Sequence, residues 1–435
     1  MANRFLSRLP NPFRKKIRKR DYRKKRIDFD SIRWPVVVGT AATLVLVSIV
    51  VSFGIRALTA RKPGGDVPSL PSPTVLPSQG IDSASLLVQT PPPSHEPTQA
   101  DGSFENPIDL SGDVKSIQSS EKRVNIPDIL GNEMVYSAGT GTINLPLLKT
   151  LYLYDFETDV EQKVVGAVVK DGEIFETVFN ENYIVWVDTD QSGTNMIYYI
   201  ERYADMPTPR LIKECGFAVP KLRLSLDTLI WTEQNSIGEE RLYMFDLIAF
   251  EDLAIPGFTD SIASQSSTYG VSAPGIYGTQ IIWAAPDPRQ TVEQRVNEGE
   301  KSVIYTCYLD MLSQDDYVPQ AYEAGMYVHA PITNAQAWAW IDRNRAPDSS
   351  LYLRYADETV QIAQEVTTYS LGDDMLVFAK SGRIYAYFYQ EGIYGVISPE
   401  GEMAALPVVS GRRIVWFDMG ASDKDTLKTC VIPYE

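Results

Sequence analysis

Short apolar stretches with a central aromatic residue recur along the chain from residue 134 onward. Residues 184–188 show the pattern: two aliphatic residues, a Trp, one more apolar residue and an Asp. After a polar turn, a second short stretch with an aliphatic–Tyr pair follows, as in residues 197–198. Segments this short, rich in Ile, Val, Tyr and Trp and separated by Gly, Asp, Asn and Pro, are typical of strands joined by tight turns. The pattern therefore predicts successive pairs of antiparallel β-strands.

The spacing of the repeats predicts the architecture. The central aromatics lie about 47 residues apart on average and are Tyr136, Trp186, Trp231, Trp283, Trp340, Phe378 and Trp416. A four-stranded propeller blade takes about 40–50 residues, so one repeat corresponds to one blade. We predict an all-β, seven-bladed β-propeller over residues 108–435, with six or eight blades as the alternatives. Aromatics at a fixed place in every blade are expected to pack between the blades, whereas Trp338 is out of phase and expected to be more accessible.

The two ends of the array predict how the ring closes. The last repeat ends after its second or third strand, and strand-like residues 122–126 precede the first repeat. An open ring would leave an unpaired strand edge. We therefore predict that the segment from Ile108 to Ile126 supplies the outer strand of the last blade.

The pattern of residues 184–188, followed by a short turn and an aliphatic–Tyr strand that ends in Asp, resembles the repeats of TolB-like β-propellers. The resemblance covers about three quarters of the chain. It implies the propeller fold. It does not imply one function, because such propellers serve as scaffolds, as receptors and as side domains of peptidases.

The N-terminal region predicts a membrane anchor at residues 34–56. Between Pro35 and Ile55 the chain has 21 uncharged residues, and about 20 apolar residues suffice to span a bilayer as a helix. The preceding residues 1–33 hold 13 Lys and Arg against three Asp and Glu, a net charge of +10, although the whole chain carries −16. This asymmetry predicts a single-pass cell-membrane protein with a cytoplasmic N-terminus and an extracytoplasmic propeller. A cleaved signal peptide is the alternative.

Residues 57–107 form the predicted connection between the membrane and the ring. Ten prolines lie between Arg61 and Pro107, among many Ser, Thr, Gln and Gly residues. Such a composition cannot bury enough apolar surface to fold, so we predict a disordered linker.

Residues 1–33 are predicted to be a basic cytoplasmic tail that binds the membrane surface. Each Lys or Arg near anionic lipid contributes about 1 kcal/mol, and the residues expected there are Arg14, Lys15, Lys16, Arg18, Lys19, Arg20, Arg23, Lys24, Lys25 and Arg26. Contact with nucleic acid or with a cytoplasmic protein is the alternative. Because no aromatics beyond Tyr22 are interleaved to stack on bases, we expect no nucleic-acid partner.

Little in the sequence points to catalysis, a metal or a cofactor. The chain has two histidines, His95 in the linker and His329 in the propeller, and no Gly-x-Ser-x-Gly motif. We therefore expect no enzymatic activity, no cofactor and no metal site. A calcium loop is a weak alternative at Asp188, Asp190 and Ser192, whose oxygen ligands at alternate positions suit Ca²⁺. The repeat places these residues at a hairpin, where Asp, Ser and Gly are ordinary turn residues.

The three cysteines are predicted to stay unpaired. Cys307 and Cys430 occupy the same place in the fourth and seventh repeats, nearly opposite each other in the ring. A disulfide needs Cα atoms within about 7 Å, so these two cannot pair.

These features predict a binding or scaffolding protein of the bacterial cell envelope that recognises another protein or a wall polymer. One alternative is a transmembrane sensor that couples ligand binding on the propeller to the basic tail. The other is a hydrolase or lyase that acts on an envelope polymer.

Overall fold

The computed structural model describes residues 98–99, 107–216, 218–234, 240–253, 272–312, 319–345, 348–420 and 423–433. Contacts divide the chain into two units, Met1–Gly80 and Ile81–Glu435, and every described residue belongs to the second. The predicted tail, the predicted anchor and most of the predicted linker lie outside the described residues. Within the described ranges, no helix is long and apolar enough to cross a membrane.

The described residues form seven sheets, which are the blades. Three N-terminal strands come first: β1 (Thr98–Gln99), β2 (Ile108–Asp109) and β3 (Lys115–Ile117). Blade 1 contains β4 (Arg123–Val124), β5 (Asp128–Leu130), β6 (Glu133–Thr142), β7 (Leu145–Asp155) and β8 (Val160–Gly166). Blade 2 contains β9 (Glu173–Phe179), β10 (Tyr183–Thr189), β11 (Asn195–Glu201) and β12 (Arg210–Cys215). Blade 3 contains β13 (Arg223–Ser225), β14 (Thr228–Gln234), β15 (Glu240–Asp246) and β16 (Glu251–Leu253).

The remaining four blades follow the same order from the inner to the outer strand. Blade 4 contains β17 (Gly275–Tyr277), β18 (Gln280–Pro286), β19 (Lys301–Tyr308) and β20 (Gln320–Met326). Blade 5 contains β21 (Val328–Thr333), β22 (Ala337–Arg345), β23 (Asp348–Tyr355) and β24 (Glu358–Gln364). Blade 6 contains β25 (Val366–Leu371), β26 (Met375–Lys380), β27 (Arg383–Phe388) and β28 (Ile393–Val396). Blade 7 contains β29 (Ala404–Ser410), β30 (Arg413–Asp418) and β31 (Thr426–Val431).

The seven blades close into a ring, which confirms the predicted seven-bladed propeller. The inner strands contact one another in sequence, and the inner strand of blade 7 contacts β5 of blade 1. Seven apolar clusters fill the seven interfaces between neighbouring blades. Each cluster contains one of the seven repeat aromatics, so the sequence repeat corresponds to one blade and one interface.

The N-terminal segment from Ile108 to Ile126 latches the ring, as predicted. β3 pairs antiparallel with β31, from Lys115 opposite Thr429 to Ile117 opposite Leu427. The strand-like residues 122–126 of the same segment include β4, which pairs with β6 of blade 1. The segment therefore joins blade 7 through β3 and blade 1 through β4.

A buried ion pair holds the latched segment against blade 7. The Arg123 guanidinium lies 2.7 Å from Asp425 Oδ1 and also donates to the Asp423 carbonyl. The other oxygen of Asp425 accepts from the Val124 amide at 2.9 Å. The Arg123 side chain is 5% exposed, so its charge depends on Asp425 for compensation.

The repeat aromatics confirm the prediction that they form the core. Six of the seven stack on the aromatic residue directly opposite on the next strand, with ring centroids 5.5–6.0 Å apart and interplanar angles of 15–23°. In blade 7 the residue opposite Trp416 is Lys428. All five in-phase tryptophans are at most 1% exposed, whereas Trp338 is half-buried beside Tyr322.

Blade 4 carries an inserted helix, α1 (Val292–Glu298), between β18 and β19. Thr291 and Gln294 form a reciprocal capping box at its start, in which each side chain accepts from the backbone of the other residue. This pairing satisfies two amides that a helix start would otherwise leave unbonded.

The three cysteines are free and buried, as predicted. Burial raises the pKa of both Cys307 and Cys430 to about 12. Because the thiolate is the reactive form, we expect less than one thiol per folded chain to react with a maleimide at pH 7 and three to react in denaturant. Mass spectrometry of the labelled protein checks this, and rapid labelling of Cys307 or Cys430 in the folded chain would contradict their burial.

Candidate functional site

Four charged side chains meet on or next to the inner strands of blades 1–3, and inner strands border the central channel of a propeller. They are Asp128, Glu176, Lys221 and Arg223, called here the channel cluster. Glu176 Oε2 lies 2.8 Å from Lys221 Nζ, and Glu176 Oε1 lies 3.9 Å from the Arg223 guanidinium. Asp128 is close enough for Arg223 and Glu176 both to act on its ionisation. The cluster therefore links three consecutive blades.

Asp128 begins β5 and is held by backbone amides. Its Oδ2 accepts from the Phe179 amide of blade 2 at 3.0 Å, and its Oδ1 accepts from the Ile129 amide at 3.1 Å. Burial raises the pKa of Asp128 to about 6, although the Phe179 amide and the positive charge of Arg223 both favour the charged form. Desolvation dominates because the carboxylate loses more hydration than its partners replace.

Glu176 reaches the same region because β9 is irregular. The register of β9 against β10 shifts between Trp186 and Asp188, which leaves Phe175 and Glu176 unmatched. The Phe175 carbonyl is held by the Asn125 side-chain amide at 2.7 Å. The Glu176 side chain is only 17% exposed, whereas Lys221 and Arg223 are 54% and 37% exposed. The two cations thus border the carboxylate on its solvent side.

This arrangement is suited to proton transfer. A carboxyl group with a pKa of about 6 exists in both protonation states near neutral pH, which is the condition for an efficient general acid or base. The Glu176 carboxyl, which pairs with Lys221 and Arg223, is the second acidic group of the cluster. Two carboxyl groups with different environments are the usual pattern of acid–base sites.

The residues of the candidate calcium loop make two separate sets of hydrogen bonds. Asp188 is buried, and its Oδ2 accepts from the amides of Val168 and Val169 in the connection before β9. Asp190 Oδ1 accepts from the Ser192 amide at 2.8 Å and from the Ser192 hydroxyl at 2.7 Å. These bonds confirm that Asp190 and Ser192 form the hairpin between β10 and β11. The calcium alternative stays a prediction.

Other candidates from the sequence lie elsewhere. His329 is on β21, the inner strand of blade 5, away from blades 1–3. In the part of the chain that the structure describes, no group of three or more His, Cys, Asp or Glu residues could hold a metal ion. The basic residues from Arg14 to Arg26 lie outside the described residues.

The channel cluster was not predicted from the sequence. The inner strands that carry the cluster are short or irregular, and they lack the repeat aromatic that lies on the second strand of each blade. A usable signal exists nonetheless: Asp128, Glu176 and Arg223 each precede a repeat aromatic by eight to ten residues. The inner strand of each blade lies at this position, eight to ten residues before the repeat aromatic.

Comparison with known proteins identifies the fold. No protein-family model and no curated protein matches the chain. The β-propeller domain of the Trilobed protease from Pyrococcus furiosus, described as having an open velcro topology, matches with a TM-score of 0.53 and 10% identity, over 72% of this chain and 99% of that one. The acylaminoacyl peptidase of Pyrococcus horikoshii matches with a TM-score of 0.53 and 10% identity over 76% of this chain. The chain spans only 54% of that peptidase.

These neighbours correct one prediction. The expectation that the chain is not an enzyme is wrong, because propellers of this fold occur in a protease and in a peptidase. That expectation rested on the scarcity of histidine, but two carboxyl groups can carry out acid–base chemistry without it. At 10% identity the likeness shows the fold alone, so it assigns neither substrate nor mechanism. The TolB-like resemblance stays a prediction.

Proposed function

We propose that the chain is an enzyme of the cell envelope, a hydrolase or lyase that cleaves a wall polymer by acid–base chemistry in the propeller channel. The observation that carries the proposal is the Asp128 carboxyl, whose pKa of about 6 lies well above its ordinary value beside a second carboxylate. Perturbed carboxyl groups of this kind concentrate at functional sites.

Each member of the channel cluster has a role in this proposal. Asp128 exchanges the proton with the leaving oxygen or with the carbon next to the scissile bond. In a hydrolase, Glu176 stabilises an oxocarbenium-like centre, and Asp128 protonates the leaving oxygen and then takes the proton of the attacking water. In a lyase, Asp128 takes the proton from the carbon and returns it to the leaving oxygen as the carbon–oxygen bond breaks. Lys221 and Arg223 are the more exposed members, and they orient the polymer and compensate the charge of Glu176.

Turnover of wall polysaccharide fragments by the purified full chain tests the proposal. We expect Asp128→Asn to lower kcat/KM by about 10²–10⁴-fold, the usual contribution of a general acid or base. Asp155→Asn is the matched control, because Asp155 is a half-buried carboxylate at the end of β7 that accepts from the Glu157 and Thr158 amides. Release of reducing ends indicates a hydrolase, and an unsaturated, ultraviolet-absorbing product indicates a lyase. Equal turnover by the wild type and Asp128→Asn would exclude the assigned role.

The pH dependence of kcat/KM shows whether Asp128 donates or accepts the proton. If Asp128 donates the proton, kcat/KM falls as the pH rises through about 6, because the protonated fraction is lost. If it accepts the proton, kcat/KM rises over the same interval. A profile with no inflection near pH 6 in the wild type would contradict both roles.

The location of the enzyme is part of the proposal. A single transmembrane helix at 34–56, a cytoplasmic tail at 1–33 that binds anionic lipid, and a linker at 57–107 would hold the propeller outside the membrane, where wall polymer is available. Supporting this are the 21 uncharged residues and the +10 charge of the tail. Labelling of Ser7→Cys by a membrane-impermeant maleimide in intact cells should fail, and labelling from outside would reverse the topology.

A further inference from the structure

Five apolar side chains of blades 2 and 3 are exposed at one end of the propeller, and we call them the apolar patch. Tyr203 and Met206 lie in the loop between β11 and β12 and are 78% and 85% exposed. Leu226 lies in the turn between β13 and β14, and Ile248 and Phe250 lie in the turn between β15 and β16. Because neighbouring strands of a blade run antiparallel, its first and third turns lie at the same end.

Contacts between blades 2 and 3 hold the parts of the apolar patch next to one another. The side-chain amide of Asn180, in the first turn of blade 2, donates to the Leu226 carbonyl of blade 3. Arg202, at the start of the exposed loop of blade 2, donates to the Asn180 carbonyl at 2.8 Å. The ring of Phe250 in blade 3 lies 4.7 Å from the Arg210 guanidinium of blade 2. The patch is therefore one continuous surface across two blades.

The third turn of blade 1 shows that the fold does not require apolar residues in the third turn of blade 3. In both turns an aspartate, Asp155 or Asp246, accepts from the backbone amides two and three residues later. The last residue of each turn has a positive φ, 54° in blade 1 and 57° in blade 3. Blade 1 has Glu, Thr and Asp at exposed positions 157–159, whereas blade 3 has Ile, Ala and Phe at the equivalent positions 248–250.

The first turn of blade 3 differs from its equivalents in the same way. Two-residue turns join the first and second strands of blades 1, 4 and 7, and they begin with Gly131, Gly278 and Gly411 at φ values of 53–57°. Leu226 occupies this position in blade 3 with a φ of 52°. Glycine adopts this conformation readily, and a leucine does not. Blade 3 thus places bulky apolar residues on the surface at two positions where the backbone favours Gly or Asp, which is typical of an interaction site.

The surroundings of the apolar patch are acidic. The four segments that carry or adjoin it hold seven Asp and Glu against two Arg and are residues 180–182, 201–210, 226–227 and 246–252. The Arg202 side chain is 7% exposed and lies 2.6 Å from Glu133, and Arg210 lies 3.8 Å from Glu201. An anionic lipid surface or the same patch of a second copy would bring like charges together, whereas a cationic partner would complement this surface.

We propose that the apolar patch binds a basic amphipathic segment of another protein. The apolar face of that segment would cover the exposed side chains of the patch, and its flanking Lys or Arg residues would face the surrounding carboxylates. The apolar contacts supply most of the affinity, and the charges select the partner. The inference is independent of the proposed enzymatic function, because the patch includes no residue of the channel cluster.

Binding of a synthetic, fluorescently labelled amphipathic peptide of Leu and Lys to the purified full chain tests the proposal. We expect Ile248→Ser and Met206→Ser each to raise the Kd of this peptide by about tenfold or more, because each removes an exposed apolar contact without changing charge. Leu145→Ser is the matched control, because Leu145 is 69% exposed at the second turn of blade 1, at the opposite end of the propeller. Its Kd should equal that of the wild type. Circular dichroism confirms that the variants are folded, and fluorescence anisotropy measures the Kd.

Three results would overturn the proposal. One is failure of the wild type to bind the peptide, or an equal Kd for the wild type, Ile248→Ser and Met206→Ser. The second is binding of phosphatidylglycerol vesicles that Ile248→Ser abolishes, which would assign the patch to a membrane. The third is a dimer in analytical ultracentrifugation that Ile248→Ser dissociates, which would assign the patch to a second copy of the chain.

Discussion

Replacing Trp186 with alanine is expected to lower the free energy of unfolding by about 3–5 kcal/mol, the usual cost of removing a large buried aromatic. Trp186 is fully buried, stacks on Tyr198 with ring centroids 6.0 Å apart, and contributes to the cluster between blades 1 and 2. The cavity would open within an interface, where rigid sheets on both sides limit collapse. Urea unfolding followed by circular dichroism measures the loss.

Trp338→Ala is the matched control for this effect. Trp338 is half-buried, so it loses less surface from water on folding. We expect a loss of about 1–2 kcal/mol. Equal losses at Trp186 and Trp338 would contradict the assignment of the in-phase tryptophans to the interfaces between blades.

Asp425→Ala is expected to cost about 3–5 kcal/mol, because it leaves the buried Arg123 guanidinium without its carboxylate. It also removes the acceptor of the Val124 amide. Both losses fall where the N-terminal segment joins blade 7 to blade 1. We therefore also expect faster hydrogen exchange of β3 and β31 than of strands in blades 2–4.

Asp423→Ala provides the control at the same loop. The Asp423 carboxylate lies 3.9 Å from Lys122 Nζ and is fully exposed, so its removal should cost less than about 1 kcal/mol. Its backbone carbonyl, which accepts from Arg123, is kept in the variant. Similar losses in Asp423→Ala and Asp425→Ala would show that Asp425 does not stabilise the closure through burial of the pair.

The sequence predicted the fold because the second and third strands of each blade carry a strong repeated signal. Trp186 and Tyr198 illustrate it: the second strand must fill an interface, and the third must place a ring against it. Because the same packing requirements recur in nearly every blade, they produce a regular repeat in the sequence. The seven blades and the N-terminal latch both follow from that period.

The inner strands and the N-terminal strands β1 and β2 leave no such repeated pattern in the sequence. β4 and β5 are two and three residues long, and β1 and β2 pair through two residues each. Strands this short have no alternation to detect. The latch was therefore predicted only as the segment from Ile108 to Ile126, and the structure shows that β3 within this segment makes the pairing.

The interval before each repeat aromatic marks the inner strands, but which of their charged residues meet in the channel cluster depends on contacts between blades. Asp128 and Glu176 are separated by one full repeat, and Lys221 and Arg223 follow nearly another repeat later. Charged residues are common in the chain, with 56 Asp and Glu. Only closure of the ring determines which of them meet, and burial then determines that Asp128 differs from the rest.

The most direct test of a perturbed Asp128 carboxyl is the free energy of unfolding of Asp128→Asn and of the wild type, compared as a function of pH. The folded-state pKa of about 6 exceeds the ordinary value of 3.8, so the folded chain binds this proton more tightly. The contribution of the Asp128 carboxyl to the free energy of unfolding of the wild type is therefore lost as the pH rises from about 4 to about 6. Asp128→Asn avoids the loss and keeps an acceptor for the Phe179 amide.

Urea unfolding of both proteins at pH 4 and pH 7 makes the measurement. We expect the free energy of unfolding of Asp128→Asn to rise by on the order of 2 kcal/mol relative to the wild type from pH 4 to pH 7. In Asp155→Asn the change should have the opposite sign, because amide bonds lower the pKa of Asp155. A stability difference for Asp128→Asn that is constant with pH, or that favours the wild type at pH 7, would contradict a perturbed carboxyl group in the channel.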